Sequence, residues 1–192
     1  MTKMWLQSSD SDQHTEALNL DLKDHAEAYL GVKPSGAMTG IFFPGTRLEI
    51  LSDNPPADYF DVGSLFVVSE HLKVVLDEFK VHAEFFPLRI IYVGADYTER
   101  TFYYCNILDC VECFDIARGK YTFWKKPGFT DHIQKIEKLA IDEAKAAGHD
   151  IFRIAKGGEY IVCASDRLAA KIEDLKLTGM RFVEPKDWRF GS

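Results

Sequence analysis

Hydrophobic and polar positions follow two different periods along this chain, and the switch between them is clearest in two places. Leu65-Phe66-Val67-Val68 is a short continuous apolar run, as a buried strand presents. Ser69 and Glu70 follow it, and then Leu72, Val75, Leu76 and Phe79 recur at i, i+3, i+4 and i+7, the spacing that places side chains on one face of a helix. Ser69 is placed as N-cap, because its hydroxyl can accept from a free N–H of the first turn, and Glu70 lies at the positive end of the helix dipole. The same succession returns 96 residues later as Ile161-Val162-Cys163-Ala164, Ser165, Asp166, Leu168, Ile172 and Leu175. Asp77-Glu78 matches Glu173-Asp174, and Phe86 matches Phe182 in the strand that returns after each helix. The pattern predicts two strand–helix–strand units, with Leu72, Leu76, Phe79, Leu168, Ile172 and Leu175 in the core. Two copies are too few for a solenoid.

Around these units, residues 3 to 7, Arg47 to Leu51, Glu84 to Val93, Thr101 to Leu108 and Ile151 to Ala155 read as strands. In the fourth of these, Phe102, Tyr104, Asn106 and Leu108 share one face, and Tyr103, Cys105 and Ile107 the other. Ser52 to Asp58 is a turn, since Pro55-Pro56 cannot continue a sheet ladder. The polar stretch Ser8 to Glu27 holds a weak helical stripe at Ala17, Leu18, Leu22 and Ala26, and a glycine- and proline-rich region follows around Ile41-Phe42-Phe43. Arg118 to Lys126 reads as a hairpin. Asp131 to Gly148 fits a helix through Ile133, Ile136, Leu139 and Ala140, or a strand through Leu139-Ala140-Ile141. A Gly157-Gly158 turn leads into the second unit. The expected fold is α+β, a single domain over residues 1–192 with two strand–helix–strand units and additional antiparallel strands.

Composition narrows the function. Apolar residues make up 46% of the 192, enough for a core without disulfide staples. The formal net charge of −7 repels phosphate backbones, so nucleic acid is not expected as a partner and a basic protein surface is. No apolar run approaches the roughly 20 residues needed to span a bilayer, and the first residues lack the apolar stretch of a signal peptide. The expectation is a cytoplasmic chain without a membrane partner.

Four cysteines offer the most suggestive spacing. Cys105, Cys110 and Cys113 form C-x4-C-x2-C with Cys163 downstream, as in plant-type two-iron ferredoxins. A cluster loop needs small residues so that backbone amides can approach the sulfurs. Asn106-Ile107-Leu108-Asp109 and Val111-Glu112 are instead bulky and strand-like. Cys163 occupies the place of Val67 in the matching strand, that of a small core hydrophobe. No metal and no cofactor is expected. The six histidines show no metal spacing, there is no nucleophile elbow, P-loop or dinucleotide fingerprint, and helix capping accounts for Ser69 and Ser165. No catalytic residue is assigned. Arg118 to Lys126 interleaves cations with aromatics, the ingredients of a single-strand platform. In an acidic chain it reads more simply as a twisted hairpin with one buried aromatic face, or as a contact for an acidic partner.

Taken in order, these blocks resemble a known family. Val67-Val68-Ser69-Glu70-His71-Leu72, Phe85-Phe86-Pro87-Leu88 and Tyr103-Tyr104-Cys105-Asn106-Ile107-Leu108-Asp109 form one group. Ile151-Phe152-Arg153-Ile154, Ile161 to Ser165 and Leu177-Thr178-Gly179-Met180-Arg181-Phe182 form the second. Their order and spacing are similar to immunity-protein family eleven of bacterial polymorphic toxin systems, over about residues 58–184. Cys110 and Cys113 stand where the resemblance leads one to expect aliphatic residues, and a core role is expected for both. The resemblance implies a cytoplasmic antidote that binds and neutralises a cognate toxin or effector protein stoichiometrically, with no catalytic residues. The alternative is a small enzyme whose carboxylates reverse a toxin's modification.

Asp53, Asp58, Tyr59 and Asp61, in a proline-stiffened loop, are the expected partner-binding residues. A stiff loop loses little entropy on docking, and an aromatic ringed by charge is a hot-spot arrangement. Charge reversal at Asp58 or Asp61 is then expected to weaken binding without unfolding the chain. The second acidic stretch, Asp10 to Glu27, is the next candidate.

Overall fold

In a computed structural model, residues 1–21, 36, 45–62 and 65–188 are described. The chain begins with strands β1 (Thr2–Gln7), β2 (Ala17–Asn19), β3 (Arg47–Ile50), β4 (Tyr59–Val62) and β5 (Leu65–Ser69). Helix α1 (Glu70–Glu78) then leads into β6 (Ala83–Tyr92), β7 (Ala95–Asp96), β8 (Phe102–Ile107) and β9 (Cys110–Val111). After β10 (Lys120–Phe123), β11 (Ile133–Lys138) and the single-turn α2 (Glu143–Ala146) come β12 (Ile151–Ile154) and β13 (Gly158–Ser165). Helix α3 (Asp166–Asp174), β14 (Met180–Val183) and a single 3-10 turn (Pro185–Asp187) close the sequence of elements. The architecture is sheet-rich α+β. Among the described residues, no helix is long and apolar enough to cross a membrane.

One sheet runs β2-β3-β6-β8-β5-β4 with β7 on β6, another runs β14-β1-β13-β12-β9, and β10 and β11 pair with each other. The period-2 alternation of the strands sorts the core into layers. Phe66, Val68, Cys105 and Ile107 from the first sheet meet Trp5, Val162 and Ala164 from the second, and Leu72, Leu76, Leu168 and Ile172 of the helices join them. The opposite faces hold separate clusters. Phe60, Val67, Phe102 and Tyr104 lie on one side of the first sheet. Met4, Phe152, Ile154 and Cys163 of the second sheet are covered by Ile133 and Ile136 of β11 and by Leu139. The two faces expected for Thr101 to Leu108 are therefore those that pack into different clusters.

Both helices are built alike. Ser69 Oγ accepts from Leu72 N at 3.2 Å and Ser165 Oγ from Leu168 N at 3.1 Å. Each serine hydroxyl also donates at 2.7 Å to an aspartate, Asp58 in one case and Asp150 in the other. At the far ends Lys80 and Lys176 take φ of +53° and +54°, with Val81 N on Leu76 O and Leu177 N on Ile172 O at 3.2 Å. That six-to-one bond is the Schellman closure, and it satisfies a carbonyl the helix leaves open. The strand neighbours correspond as well: β4-β5-β8-β6 matches β12-β13-β1-β14. In the second set β1, from the start of the chain, stands where β8 stands in the first. Accordingly Glu70 N donates to Thr101 O and Asp166 N to Met1 O, both at 2.9 Å. Ser69→Ala and Ser165→Ala are each expected to cost about 1–2 kcal/mol, Ser69 the more because it is wholly buried. Urea unfolding of the two variants measures this.

Several expectations change. Ala17–Asn19 forms β2, antiparallel to β3 (Ala17 opposite Ile50), in place of the start of a helix, because the cross-strand hydrogen bonds outweigh a weak stripe. Leu22, Ala26 and the run Ile41 to Phe43 lie outside the described residues. Strand β4 is unexpected, since the prolines and acids that precede it mask a four-residue strand. Strand β10 pairs with β11 across a long connection instead of turning back before Lys126. Asp131 to Gly148 resolves into strand β11 (Ile133–Lys138), an isolated bridge between Ile141 and Phe114, and the short helix α2, so neither the helix through Ile133, Ile136, Leu139 and Ala140 nor a strand through Leu139-Ala140-Ile141 forms. Phe79 is half-buried and Leu175 is exposed. Both are the helix C-caps, where the chain leaves the core face. Cys110 is exposed on the edge strand β9 and is not a core residue, whereas Cys113 is buried.

Candidate functional site

The proline turn and strand β4 divide the expected contact residues between surface and interior. Pro56 and Ala57 are buried, which seats the turn, and Asp53 and Asp61 are exposed on either side. Asp58 is only 5% exposed and Tyr59 2%. The Tyr59 ring lies 4.5 Å from that of Phe66 and 5.5 Å from that of Trp5, centroid to centroid, inside the core that joins the two sheets. Its hydroxyl donates to Asp61 Oδ2 at 2.6 Å. Burial holds the Tyr59 phenol well above its ordinary pKa, and the Asp61 charge adds to this. The Asp61 carboxyl, folded back onto Tyr59, is also raised by lost solvation, which the Tyr59 hydrogen bond and the Arg153 charge partly offset.

Asp58 is committed internally. Oδ1 accepts from Ser69 Oγ at 2.7 Å and from Arg100 Nη1 at 3.0 Å. Oδ2 accepts from Thr178 N at 3.0 Å and Thr178 Oγ1 at 3.1 Å. One carboxylate thus caps the cap of α1, neutralises Arg100 and holds the α3–β14 loop. The expectation that Asp58 and Tyr59 face a partner is revised by their burial: both support the surface from behind.

That surface is larger than the proline loop. Ala57 N donates to Thr15 Oγ1 at 2.9 Å, Leu51 N to Glu16 O at 2.8 Å, Asn54 Nδ2 to Ser11 O at 3.4 Å and Asp61 N to Gln7 Oε1 at 3.2 Å. These bonds lay residues 8–16 against residues 51–61, so the proline loop and the start of the stretch Asp10 to Glu27, whose residues 22–27 lie outside the described ones, form one corner. Asp10, Asp12, Glu16, Asp53 and Asp61 are all exposed there. Neither 7–16 nor 51–62 contains Lys or Arg. Asp10, Asp12, Glu16 and Asp53 make no ion pair with the described residues. The carboxylates of Asp10, Asp12, Glu16 and Asp53, spread over two pinned loops, present a negative field suited to docking a basic surface, while that of Asp61 is turned to Tyr59. No sequence signal announces this pairing; the contacts run through Thr15 and Ser11, residues without pattern.

The other candidates scatter. Cys105 lies in the core between the sheets, Cys113 and Cys163 in the cluster beyond the second sheet, and Cys110 at the surface. Burial pushes the Cys105 and Cys113 thiols up to about 12, and Cys163 is also raised. Among the described residues no group of His, Cys, Asp and Glu is arranged to hold a metal. His82 and His149 each hydrogen-bond Asp109, through Nδ1 at 2.9 and 2.7 Å, joining the turn after α1 to the turn before β12. Sequence spacing gives no sign of that bridge. Burial raises the Asp109 pKa, but the two histidine bonds together prevail and lower it. A shallow recess between α1 and α3 is crossed by its own contacts, Lys171 to Glu78 at 3.4 Å and the Arg167 guanidinium 4.9 Å from the Phe79 ring centre.

No curated protein matches the chain. The model of a family described as "Immunity protein family (Imm11)" matches residues 43–187, which takes in the proline loop, both capped helices and every strand from β3 to β14. With three quarters of its length so matched, the chain belongs to the Imm11 immunity protein family.

Proposed function

We propose that this protein is the cytoplasmic antidote of a bacterial polymorphic toxin system, acting as one domain over residues 1–192 that binds its cognate toxin and performs no catalysis. The observation that carries this reading is the acidic corner, the exposed carboxylates of Asp10, Asp12, Glu16 and Asp53 on two mutually pinned loops without a neighbouring cation in either loop. Family membership supplies the class of partner, and the charge supplies the kind of surface on it, a basic one. Asp12 and Asp53 are the proposed contacts, while Asp58 and Tyr59 hold the loop in place beneath them. We also read the two strand–helix–strand segments as copies of one unit that share the core and carry the corner at their junction.

The test is co-expression with the toxin encoded beside the gene, together with calorimetry on the purified pair. A one-to-one complex and protection of the cell are expected. Asp12→Lys combined with Asp53→Lys, both at exposed carboxylates without an ion pair among the described residues, should slow association in a salt-dependent way and weaken the complex by roughly a hundredfold, while the unfolding midpoint stays unchanged. Full protection and unchanged affinity in that variant would remove the corner from the interface. A chain that binds no toxin at all would refute the antidote reading itself.

A further inference from the structure

The hairpin β10–β11 is charged oppositely to the molecule that bears it. Residues 118–138 hold Arg118, Lys120, Lys125, Lys126, Lys135 and Lys138 against Asp131 and Glu137, a net charge of +4, so the rest of this −7 chain carries −11. The two carboxylates are already occupied. Glu137 pairs with Lys120 and Lys135, and Asp131 with Lys156. Lys125, Lys126 and Lys138 make no ion pair with the described residues.

The inner face of the hairpin is spoken for. Tyr121 and Phe123 pack with Ile133 and Ile136 on the outer cluster of the second sheet. The Tyr121 hydroxyl donates to Ala140 O and accepts from Ala140 N, both at 2.9 Å, which anchors the base. At the tip, however, Trp124 is 45% and Phe129 46% exposed. Lys126 Nζ stands 5.3 Å from the centre of the Phe129 ring. The tip is ordered by its own bonds: Trp124 N to His132 O at 3.0 Å, Phe129 N to Lys126 O at 3.0 Å and His132 N to Phe129 O at 2.9 Å. Lysines alone would make an ordinary solvated face. Two half-exposed aromatic rings held among them on a pre-formed turn have the composition of an interface anchor with a charged rim.

We infer that the β10–β11 tip, through Trp124, Lys125, Lys126 and Phe129, is a second docking surface, and that it fits an acidic protein surface with an apolar centre. Charge decides between the polyanions that cations and aromatics suit. A nucleic acid long enough to bind would extend from the small basic tip over a body of −11 and be repelled there, within the roughly 8–10 Å reach of charges at physiological salt. A compact acidic patch on a folded protein meets the tip alone. The inference stands whether or not the acidic corner meets a toxin.

Trp124 supplies the reporter, because Trp5 and Trp188 are buried, so acrylamide quenching of the intact chain reads Trp124 selectively. The probe is an oligoglutamate peptide with a central leucine, beside oligothymidylate of equal charge. The peptide is expected to shield Trp124 and to bind less tightly as salt rises. Lys125→Glu with Lys126→Glu should weaken it about tenfold or more, Phe129→Ala to a lesser degree, and Asp12→Lys with Asp53→Lys should not weaken it. Circular dichroism checks that the charge-reversed chain is folded; should it not be, Lys125→Ala with Lys126→Ala replaces it. Tighter binding of oligothymidylate than of peptide would overturn the inference in favour of a nucleic-acid platform. Shielding that grows with protein concentration alone, with a doubled mass, would overturn it in favour of self-contact. Absence of shielding by either probe would reduce the tip to a solvated face.

Discussion

Asp58→Ala should destabilise the protein by about 3 kcal/mol or more, whereas Asp150→Ala, at the matching position under the other helix, should cost about half of that. Both aspartates accept from the serine that caps a helix, and both have an arginine at hand. They differ in what else depends on them. Asp150 shares its remaining oxygen with Arg167, whose side chain is mostly in water and is re-solvated at little cost when its partner goes. Asp58 is buried and serves Ser69, Arg100 and both donors of Thr178. Removing it strands Thr178 N and leaves the partly buried Arg100 without its carboxylate. Asp58→Asn should recover less than half of the loss, since its amide must face either the Ser69 and Arg100 donors or the Thr178 donors. Asp58→Lys, which sets a second cation beside Arg100, should unfold the chain and so report on folding, not on partner binding. Urea unfolding of the four variants decides this, and equal costs for Asp58→Ala and Asp150→Ala would show that the links to Arg100 and Thr178 contribute nothing.

Gly179→Ala is expected to be as damaging, about 3 kcal/mol, and to lower the melting temperature by roughly 6–12 °C. Gly179 has φ +94°, where an alanine is strained whatever the space. Space is lacking as well. A Cβ there would lie 2.0 Å from Tyr59 O and 2.7 Å from Ala57 Cβ, and a backbone carbonyl cannot swing aside as a side chain can. The close approach exists because the α3–β14 loop is bonded to the start of β4, with Tyr59 N on Thr178 O at 3.1 Å and Ser8 N on Gly179 O at 2.8 Å. Relief of the clash would open the seam that also positions the acidic corner. Gly148→Ala is the control: φ is +90° there, but nothing lies within 4 Å, so only the backbone strain of about 1–2 kcal/mol remains. Similar melting losses for the two would place the whole cost in φ and none in the contact with Tyr59.

What could be read from residue order alone is what short-range physics governs. Ser69 and Ser165 cap helices because a hydroxyl three residues from a free N–H finds it without help from the rest of the chain. The 3.6-residue stripes of Leu72-Val75-Leu76 and Leu168-Ile172 mark buried faces, and the alternation along Phe102 to Ile107 sorts two cores, because these periods are properties of the backbone. The family blocks were legible for the same reason, being strings of such local units. The limits appear where a residue's role is set by partners distant in sequence. Asp58 looked like a surface acid in a turn until Thr178, 120 residues on, and Arg100 closed over it. Ala17 and Leu18 carried a helical hint that pairing with β3 overrode. Strand β10 pairs with β11 across residues 124–132 instead of folding back within Arg118 to Lys126, and β1 completes the sheet of β13 and β14 from the other end of the chain. The acidic corner joins two loops through Thr15–Ala57 and Glu16–Leu51 bonds, contacts between ordinary residues that leave no periodic trace. Sequence by itself determined the capped helices, the strand faces, the net charge and the family; the tertiary structure alone decided which acids are buried ties and which stand together at the surface, because burial and pairing depend on the whole fold closing around them.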